Sequence, residues 1–182
     1  ELKILRGAWS NEQLSLERKV NTTYPSRIQQ YQHQIEQISQ DIVLLEQSKD
    51  GEFSIVLDGK PYTERPAAGD AFALLYHTIN EKCAKDDFEF EIGSYRGFRL
   101  CLNLHPLSQG IILRGTSRYS TDIGSSGQGT ITRIENLAER ISFYLINTQR
   151  DLEEVEKQLE AARQQMGQPF IMRRNCPKRL LP

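Results

Sequence analysis

The sequence predicts an α+β protein: a small, mostly antiparallel sheet with one packed helix, inserted between two long helices that form an antiparallel coiled-coil arm. Two observations predict the arm, because two distant stretches of the 182-residue chain repeat apolar residues at alternating steps of three and four, the spacing of a heptad seam. A third observation predicts the sheet. Between these stretches, short segments alternate apolar and polar residues, which is the period of a strand with one buried face.

The longer arm helix is predicted over residues 130–167. Thr132 and Glu135 have the spacing of a capping box at its start. Gly167 suits its end as a left-handed cap, and Pro169 cannot continue a helix. A helix of this length is roughly 55 Å long, so its seam needs a partner to cover it. The seam consists of Ile134, Leu137, Ile141, Tyr144, Thr148, Leu152, Val155, Leu159, Ala162 and Met166.

The partner helix is predicted in the N-terminal region, 1–50. A capping-box spacing that begins at Ser10 predicts a first helix over about 10–20. Pro25 disfavours helical backbone at the residue before it, so we expect the chain to break or kink there and to restart as an arm helix over 25–49. Its glutamine-rich outer face suits either a solvated surface or a recognition surface. Its apolar seam consists of Ile28, Tyr31, Ile35, Ile38, Ile42 and Leu45.

The residues between the arms, 51–129, are predicted to form an α+β head. Asp58 and Gly59 follow an apolar, β-branched segment and predict a two-residue hairpin turn. Pro66 opens a helix that is expected to end near Cys83 and to lie on one face of the sheet. Four further strands, separated by glycine-containing reversals, are predicted over 88–93, 98–105, 110–115 and 117–123.

Composition excludes several classes of protein. The 23 Lys and Arg against 24 Asp and Glu give a net charge of -1, so the chain lacks the general positive field of a dedicated nucleic-acid binder, and any contact with DNA has to be local. Its three cysteines, Cys83, Cys101 and Cys176, are far apart and lack a CxxC spacing, which predicts reduced thiols in a cytoplasmic protein. No apolar run reaches the roughly 18 residues of a membrane span, so we expect no membrane partner.

No arrangement of residues suited to catalysis is found, and neither a catalytic residue nor a cofactor is predicted. The three histidines, His33, His77 and His105, fall on three different predicted elements, and no His or Cys pair has a ligand spacing, so no metal site is expected. The glycine-rich run 124–129 precedes a predicted helix and has two interpretations. It either holds a phosphate through free backbone N–H groups or serves as a flexible connection.

A set of arginines and tyrosines near the strand reversals is the best candidate for binding. Aromatic side chains can stack on bases while neighbouring guanidinium groups contact phosphates, which favours single-stranded or distorted DNA. A turn with a core aromatic residue and surface arginines also accounts for these residues. The set comprises Tyr95, Arg96, Arg114, Arg118 and Tyr119.

Several short motifs are spread over nearly the whole chain. They are Leu2-Lys-Ile-Leu-Arg-Gly-Ala-Trp9, Gln13-Leu-Ser-Leu16, Tyr24-Pro25, Asp58-Gly59, Tyr62-Thr-Glu64, Ile92-Gly-Ser-Tyr-Arg-Gly-Phe98, Gly129-Thr-Ile-Thr-Arg-Ile-Glu-Asn136, Gln158-Leu-Glu-Ala161 and Pro169-Phe170. Together they resemble, in the same order, a stretch of the very large proteins of phages, plasmids and conjugative elements that combine a Swi/Snf-type helicase core with an adenine-specific DNA methylase.

The resemblance implies a non-catalytic architectural or binding segment of such a protein. The ATPase motifs and the methylase Asn-Pro-Pro-Tyr motif of the family are not present in this chain, and no catalytic residue is carried over. The implied partners are DNA and the flanking helicase and methyltransferase domains of the parent protein. One alternative is a free-standing protein that self-associates through its helical arm, because a heptad seam does not say whether its partner lies in the same chain. Another is a small enzyme whose site is assembled from distant residues.

The two ends of the chain carry further expectations. The first residue is Glu1 rather than a methionine, which suggests a piece of a larger protein. Residues 168–182 are predicted to be irregular. From Ile171 onward the sequence is basic, whereas the family continues with acidic, helical sequence, and codons read from the third base of the Ile171 codon can encode such a continuation. We hypothesise that the tail is a frameshifted or truncated end.

Overall fold

The computed structural model describes residues 2–48, 51–82, 88–166 and 168. The helices are α1 (Leu2–Arg18), α2 (Tyr24–Gln47), α3 (Arg65–Lys82), α4 (Gly127–Glu139) and α5 (Ile141–Gln165), with a π-helical segment, Lys19–Thr23, between α1 and α2. The strands are β1 (Ile55–Leu57), β2 (Lys60–Tyr62), β3 (Glu89–Tyr95), β4 (Phe98–His105), β5 (Ser108–Arg114) and β6 (Arg118–Thr121). The chain divides into two compact units, one formed by Glu1–Tyr31 with Arg150–Pro182 and the other by Gln32–Gln149. None of the described helices is both long enough and apolar enough to cross a membrane.

The strands form one antiparallel sheet in the order β2-β1-β3-β4-β5-β6, which confirms the predicted α+β class. The two-residue turn between β1 and β2 is also confirmed, because Asp58 and Gly59 both adopt positive φ angles, 47° and 73°, as a hairpin turn of this kind requires. The predicted strand at 98–105 coincides with β4, and the three others differ from their predicted bounds by only a few residues. Apolar patterning together with turn residues therefore placed these strands to within a few residues.

The core lies on one face of the sheet and is covered by more helices than predicted. Instead of one packed helix, α3 and α4 both contribute several buried residues to the core. The helices α2 and α5 contribute one buried residue each, Ile38 and Ile141. The helical members of the core are Ile38, Ala68, Phe72, Ile131, Ile134, Leu137, Ala138 and Ile141. From the sheet, the core takes Ile55, Leu57, Ile92, Tyr95, Phe98, Leu100, Leu102, Leu104, Ile111, Leu113 and Tyr119.

The glycine-rich run brings the start of α4 against α3. A Cβ atom placed on Gly127 would lie 2.0 Å from the carbonyl oxygen of Gly69, and one placed on Gly69 would lie 2.6 Å from the backbone nitrogen of Gln128. Only glycine permits this backbone-to-backbone approach. The first turn of α4 is capped by Ser126, whose side chain accepts a hydrogen bond of 3.0 Å from the N–H of Gly129. The run connects β6 to α4 and permits the close packing of α4 on α3.

The predicted helix 130–167 is two helices. α4 begins before the predicted cap at Thr132, so that capping box is wrong, and the helix is interrupted at Arg140. The N–H groups of Phe143 and Tyr144 both bond to the carbonyl oxygen of Arg140, at 2.9 and 3.3 Å, where α5 begins. The predictions that concern Cys83, Gly167, Cys176 and the tail beyond 168 lie outside the described residues.

Of the break or kink predicted before Pro25, the break is wrong. α1 begins at Leu2 rather than near Ser10, and the backbone stays helical from there to the end of α2. Proline lacks an N–H and its ring clashes with the carbonyl of the residue four positions earlier, so it normally kinks a helix. The π-helical turn just before Pro25 has a wider ring, in which the N–H of Tyr24 bonds to the carbonyl of Lys19. A change of helical type thus replaces the expected break.

The predicted seam of α2 is confirmed as its buried face, because all six of its residues are buried or half-buried. In the seam predicted for the second arm, most residues are buried or half-buried, but Tyr144 and Met166 are exposed. In the unit formed by the two chain ends, Val20 packs with Leu159 and Ala162. Half-buried Leu16, Tyr24 and Ile28 extend this cluster.

A buried carboxylate links α2 to the reversal between β5 and β6. Asp41 is 1% exposed, and its oxygens accept hydrogen bonds from the backbone N–H groups of Thr116 (2.6 Å) and Ser117 (2.8 Å) and from the hydroxyl of Tyr119 (2.8 Å). Gly115 makes room for it, because a Cβ atom there would lie 2.3 Å from Asp41 Oδ1. A buried charge is tolerated only when its oxygens are hydrogen-bonded in this way.

We predict that Asp41→Ala lowers the free energy of unfolding by about 3–5 kcal/mol, because it leaves three donors without an acceptor at a cost of about 1–3 kcal/mol for each unsatisfied group. Asp41→Asn keeps one carbonyl oxygen and is expected to cost less. The measurement is urea unfolding followed by circular dichroism. Asp70→Ala is the matched control, because Asp70 is an exposed carboxylate on α3 and should change stability by about 0.5 kcal/mol or less. Equal stabilities of the Asp41→Ala and Asp70→Ala proteins would contradict the structural role of Asp41.

Candidate functional site

The sheet face opposite the core, which we call the outer face, is polar and charged. In β4, as predicted, the residues Phe98, Leu100, Leu102 and Leu104 point into the core and their alternates point to the outer face. Cross-strand pairing places the neighbours of those alternates on the same face. The outer face includes Glu89, Glu91, Ser94, Arg99, Cys101, Asn103, His105, Ser108, Ile112, Arg114, Arg118 and Ser120.

Three arginines and two glutamates of the outer face form ion pairs. Arg99, Arg114 and Arg118 lie side by side on β4, β5 and β6, because Arg114 is the register partner of both others. Glu89 bridges two of them, with one carboxylate oxygen on Arg114 and the other 3.2 Å from Arg118 Nη2. Arg99 Nη1 lies 3.7 Å from the carboxylate of Glu91. With three positive and two negative side chains, this cluster carries a net charge of +1.

Two apolar residues, Cys101 and Ile112, also lie on the outer face. Cys101 and Ile112 are buried although they point away from the core, and Arg114 Nε is itself a buried atom with no hydrogen-bond partner. Burial raises the pKa of the Cys101 thiol, and the nearby charge of Glu89 raises it further. A buried thiol with a raised pKa is a poor nucleophile at neutral pH, so Cys101 is a structural residue.

The structure separates the predicted arginine set. Arg114 and Arg118 meet at Glu89, but Arg96 does not join them. Arg96 is in the turn between β3 and β4, where it has a positive φ of 47°, and its guanidinium lies 5.5 Å from the ring centroid of Tyr95. It lines a separate cavity of about 180 Å³ with residues of α2, α4 and α5. The prediction that these three arginines form one cluster is therefore wrong, and Arg99 takes the place of Arg96.

The two predicted stacking residues are core residues. Tyr95 is 2% exposed and Tyr119 is 4% exposed, and both belong to the main hydrophobic cluster. Because neither ring has a free face, the prediction that they are available to stack on bases is wrong. The alternative interpretation, a core aromatic residue beside surface arginines, describes this part of the chain correctly. Burial raises the pKa of both phenols above their ordinary value.

Two aromatic residues that the sequence analysis did not select are at the surface. Phe143 and Tyr144, near the start of α5, are 64% and 41% exposed, and the next-but-one residue, Ile146, is 59% exposed. The signal was the run of four consecutive apolar residues, 143–146, because a helix cannot turn four successive side chains toward one core. The seam pattern obscured this signal by assigning Tyr144 to the buried side.

Two surface grooves of about 440 Å³ each meet at Tyr144. The first is lined by Arg140, Phe143, Tyr144 and Asn147. The second is lined by Gln34, Gln37, Ile38, Thr116, Ser117, Arg118, Tyr119, Ser120, Tyr144 and Thr148. Arg118 connects this second groove with the outer face, where it contacts Glu89. The two grooves and the outer face thus share residues and are neighbouring surfaces of one unit.

The three histidines lie on three different elements of the described structure. Among the described residues, no group of three or more His, Cys, Asp or Glu side chains is placed to hold a metal ion. The histidines are on α2, α3 and β4, as predicted, and each has its own local contact. His33 Nε2 is 3.0 Å from the amide nitrogen of Gln37, His77 is 3.9 Å from Glu81, and His105 Nδ1 accepts a hydrogen bond from the N–H of Leu107.

Comparison of the chain with protein-family models, with curated proteins and with solved structures found no match. The resemblance to the helicase and methyltransferase proteins therefore stays a prediction. In the part of the chain that the structure describes, the outer face and the two grooves are candidate binding surfaces.

We predict that the phenol of Tyr119 stays protonated well above pH 10. Burial raises its pKa above the ordinary value of 10.0, and the hydrogen bond to Asp41 and the charge of that carboxylate raise it further. Because the unfolded chain releases this proton near its ordinary pKa while the folded chain retains it, the stabilisation is complete below pH 10 and is lost as the pH rises above it. The measurement is the absorbance of ionised tyrosine between pH 8 and pH 13, taken as the difference between the wild type and Tyr119→Phe. A midpoint near pH 10 in the folded protein would contradict the buried hydrogen bond.

Proposed function

We propose that this chain is a non-catalytic architectural and binding domain of a cytoplasmic protein of the DNA helicase and methyltransferase type, and that its outer face contacts DNA. In the parent protein it positions the flanking helicase and methyltransferase domains. The observation that supports the DNA contact is the alignment of Arg99, Arg114 and Arg118 on three adjacent strands. Guanidinium groups in such a row can contact successive phosphates of one strand.

The ion pairs of the outer face are compatible with such a contact. The side chains of Arg99 and Arg118 are more than half exposed, and exposed ion pairs contribute only about 0–1 kcal/mol. For Arg99 and Arg118, exchanging a carboxylate for a phosphate therefore costs little. Glu89 holds Arg114 and Arg118 toward each other, which keeps both guanidinium groups in place but also competes with an incoming phosphate.

The expected affinity is weak because the net charge of the chain is -1 and the field of the cluster is local. About three phosphate contacts give a slope of log affinity against log salt near -2 for a single strand, at about 0.7 per contact. A slope of this size separates a local contact from a general polyelectrolyte effect.

We predict that Glu89→Gln and Arg118→Gln change DNA affinity in opposite directions. The first variant frees two arginines from a competing carboxylate and should raise the affinity about 5-fold, whereas the second removes one phosphate contact and should lower it by a similar factor. The measurement is the fluorescence anisotropy of labelled DNA at several salt concentrations, after both variants are shown to melt like the wild type. Glu81→Gln is the matched control, because it makes the same change in net charge at an exposed position on α3.

Three outcomes decide the DNA contact. Opposite effects at Glu89 and Arg118, with no effect at Glu81, support it. An equal gain for Glu89→Gln and Glu81→Gln would mean that only net charge matters. If the wild type fails to bind DNA even at low salt, the outer face is not a DNA-binding surface, and the domain is better described as a spacer between its neighbours.

We also propose that the helices at the two ends of the chain form an antiparallel coiled-coil arm within one molecule. The support is the cluster in which Val20 of the N-terminal helical segment packs with Leu159 and Ala162 of α5. A seam covered in this way by its own chain does not require a second copy. Self-association through the arm is the alternative, in which the domain is a free-standing interaction protein.

We predict that Leu159→Ala lowers the free energy of unfolding by about 2–4 kcal/mol, the usual cost of removing a buried leucine side chain. Leu14→Ala is the control, because Leu14 is exposed on α1 and its loss should have little effect. Urea unfolding gives the stabilities, and sedimentation equilibrium gives the mass. A single species near 21.0 kDa supports pairing within one chain. A dimer that dissociates when Leu159 is replaced would support self-association instead.

A further inference from the structure

We infer that Phe143 and Tyr144 form a stacking platform for unpaired bases of single-stranded DNA, with Arg140 and Arg118 contacting the phosphates on either side. This inference rests on the proposed DNA-binding function and names the form of DNA that is bound. It assigns the aromatic part of the interface to α5.

The aromatic rings are placed where a base can reach them. Phe143 is 64% exposed and Tyr144 is 41% exposed, whereas the tyrosines of the sheet are in the core. Stacking of a base on an exposed aromatic ring is a general source of affinity for single strands, because every base has a flat face. The two grooves that meet at Tyr144 have volumes of about 440 Å³ each, within the range of small-molecule sites and large enough for a base with its sugar.

The charge of the grooves is complementary to DNA. Arg140 lines one groove and Arg118, which pairs with Glu89 of the outer face, lines the other. Among the described residues, no Asp or Glu lines either groove. Polar side chains that can bond to bases or phosphates also line the two grooves, namely Gln34, Gln37, Asn147, Thr116, Ser117, Ser120 and Thr148. A groove for an apolar peptide needs neither the arginines nor so many hydrogen-bonding groups, so the lining favours an anionic strand.

The ring of Tyr144 packs against the ring of the buried Tyr119. Its ring centroid lies 5.5 Å from that of Tyr119 at an interplanar angle of 52°, and the hydroxyl of Tyr119 bonds to the buried carboxylate of Asp41. A platform supported by a buried, hydrogen-bonded side chain loses less conformational entropy when a base stacks on it. Arg118 follows the reversal that the same carboxylate fixes, so the position of one cation is tied to the position of the ring.

The experiment compares three labelled probes: an oligothymidine of about 12 nucleotides, an abasic strand of the same length and a blunt duplex. Phe143→Leu removes the ring but keeps an apolar side chain, and Phe143→Trp restores a ring. We expect Phe143→Leu to lower the affinity for oligothymidine about 5- to 100-fold and to leave the affinity for the abasic strand unchanged, while Phe143→Trp binds like the wild type. Ile146→Ala is the matched control, because Ile146 is similarly exposed on the same helix but lines neither groove.

A second measurement reports stacking directly. Replacing one base of the strand by 2-aminopurine gives a fluorophore that is quenched when it stacks. The wild type should quench it on binding and Phe143→Leu should quench it less, with Ile146→Ala equal to the wild type. All variants are first shown to melt like the wild type, so that a loss of binding is not a loss of folding.

The outcomes separate this inference from the proposed function. If the wild type binds DNA through Arg118 but Phe143→Leu binds oligothymidine equally well, the stacking platform is wrong and the DNA contact stands. The stacking platform is also wrong, and the DNA contact stands, if the abasic strand binds as tightly as oligothymidine. If the wild type binds none of the three probes at low salt, both are wrong. If Phe143→Leu and Ile146→Ala both change the mass in solution instead, the exposed patch is a protein contact.

Discussion

The buried carboxylate of Asp41 ties α2 to the reversal between β5 and β6, because its oxygens accept two backbone N–H groups of that reversal and the hydroxyl of Tyr119. A carboxylate that is almost completely buried has to be satisfied by such donors, and those donors would be left unsatisfied without it. The buried carboxylate therefore needs these donors, and the donors need the carboxylate. It ties the reversal between the last two strands of the sheet to α2, and it requires glycine at position 115.

The same reversal determines what the two faces of the sheet present. Along β6, successive side chains alternate, so Arg118 points to the outer face and Tyr119 points to the core. Arg118 then reaches Glu89 across the outer face and also lines the groove that contains Tyr144. Through this one turn, Arg118 of the outer face thus becomes a neighbour of Tyr144, an exposed aromatic residue of α5. A shift of one residue in that turn would exchange the two faces of β6, so that Arg118 would point to the core and Tyr119 to the outer face.

Each half of the chain has a helical segment with a local irregularity that still keeps an apolar buried face. The π-helical turn before Pro25 adds a residue to one turn, so that the helix continues past a proline that would otherwise break it. The buried side of the helical segment continues across it, since Val20 and Tyr24 belong to the same apolar cluster. In the second half of the chain, the interruption at Arg140 separates α4, which packs on α3, from α5.

The sequence by itself determined the α+β class, the strands, the hairpin at Asp58 and the buried face of α2, because these features depend on periods and turn residues that are close together in the chain. Only the tertiary structure decided the site. Asp41 and Thr116 are 75 residues apart, and nothing in either segment marks their contact. Alternation indicates that one face of a strand is covered, but not which arginines of different strands become neighbours, since register and the packing of distant helices determine that. For the same reason Tyr119, beside an arginine in the sequence, lies in the core.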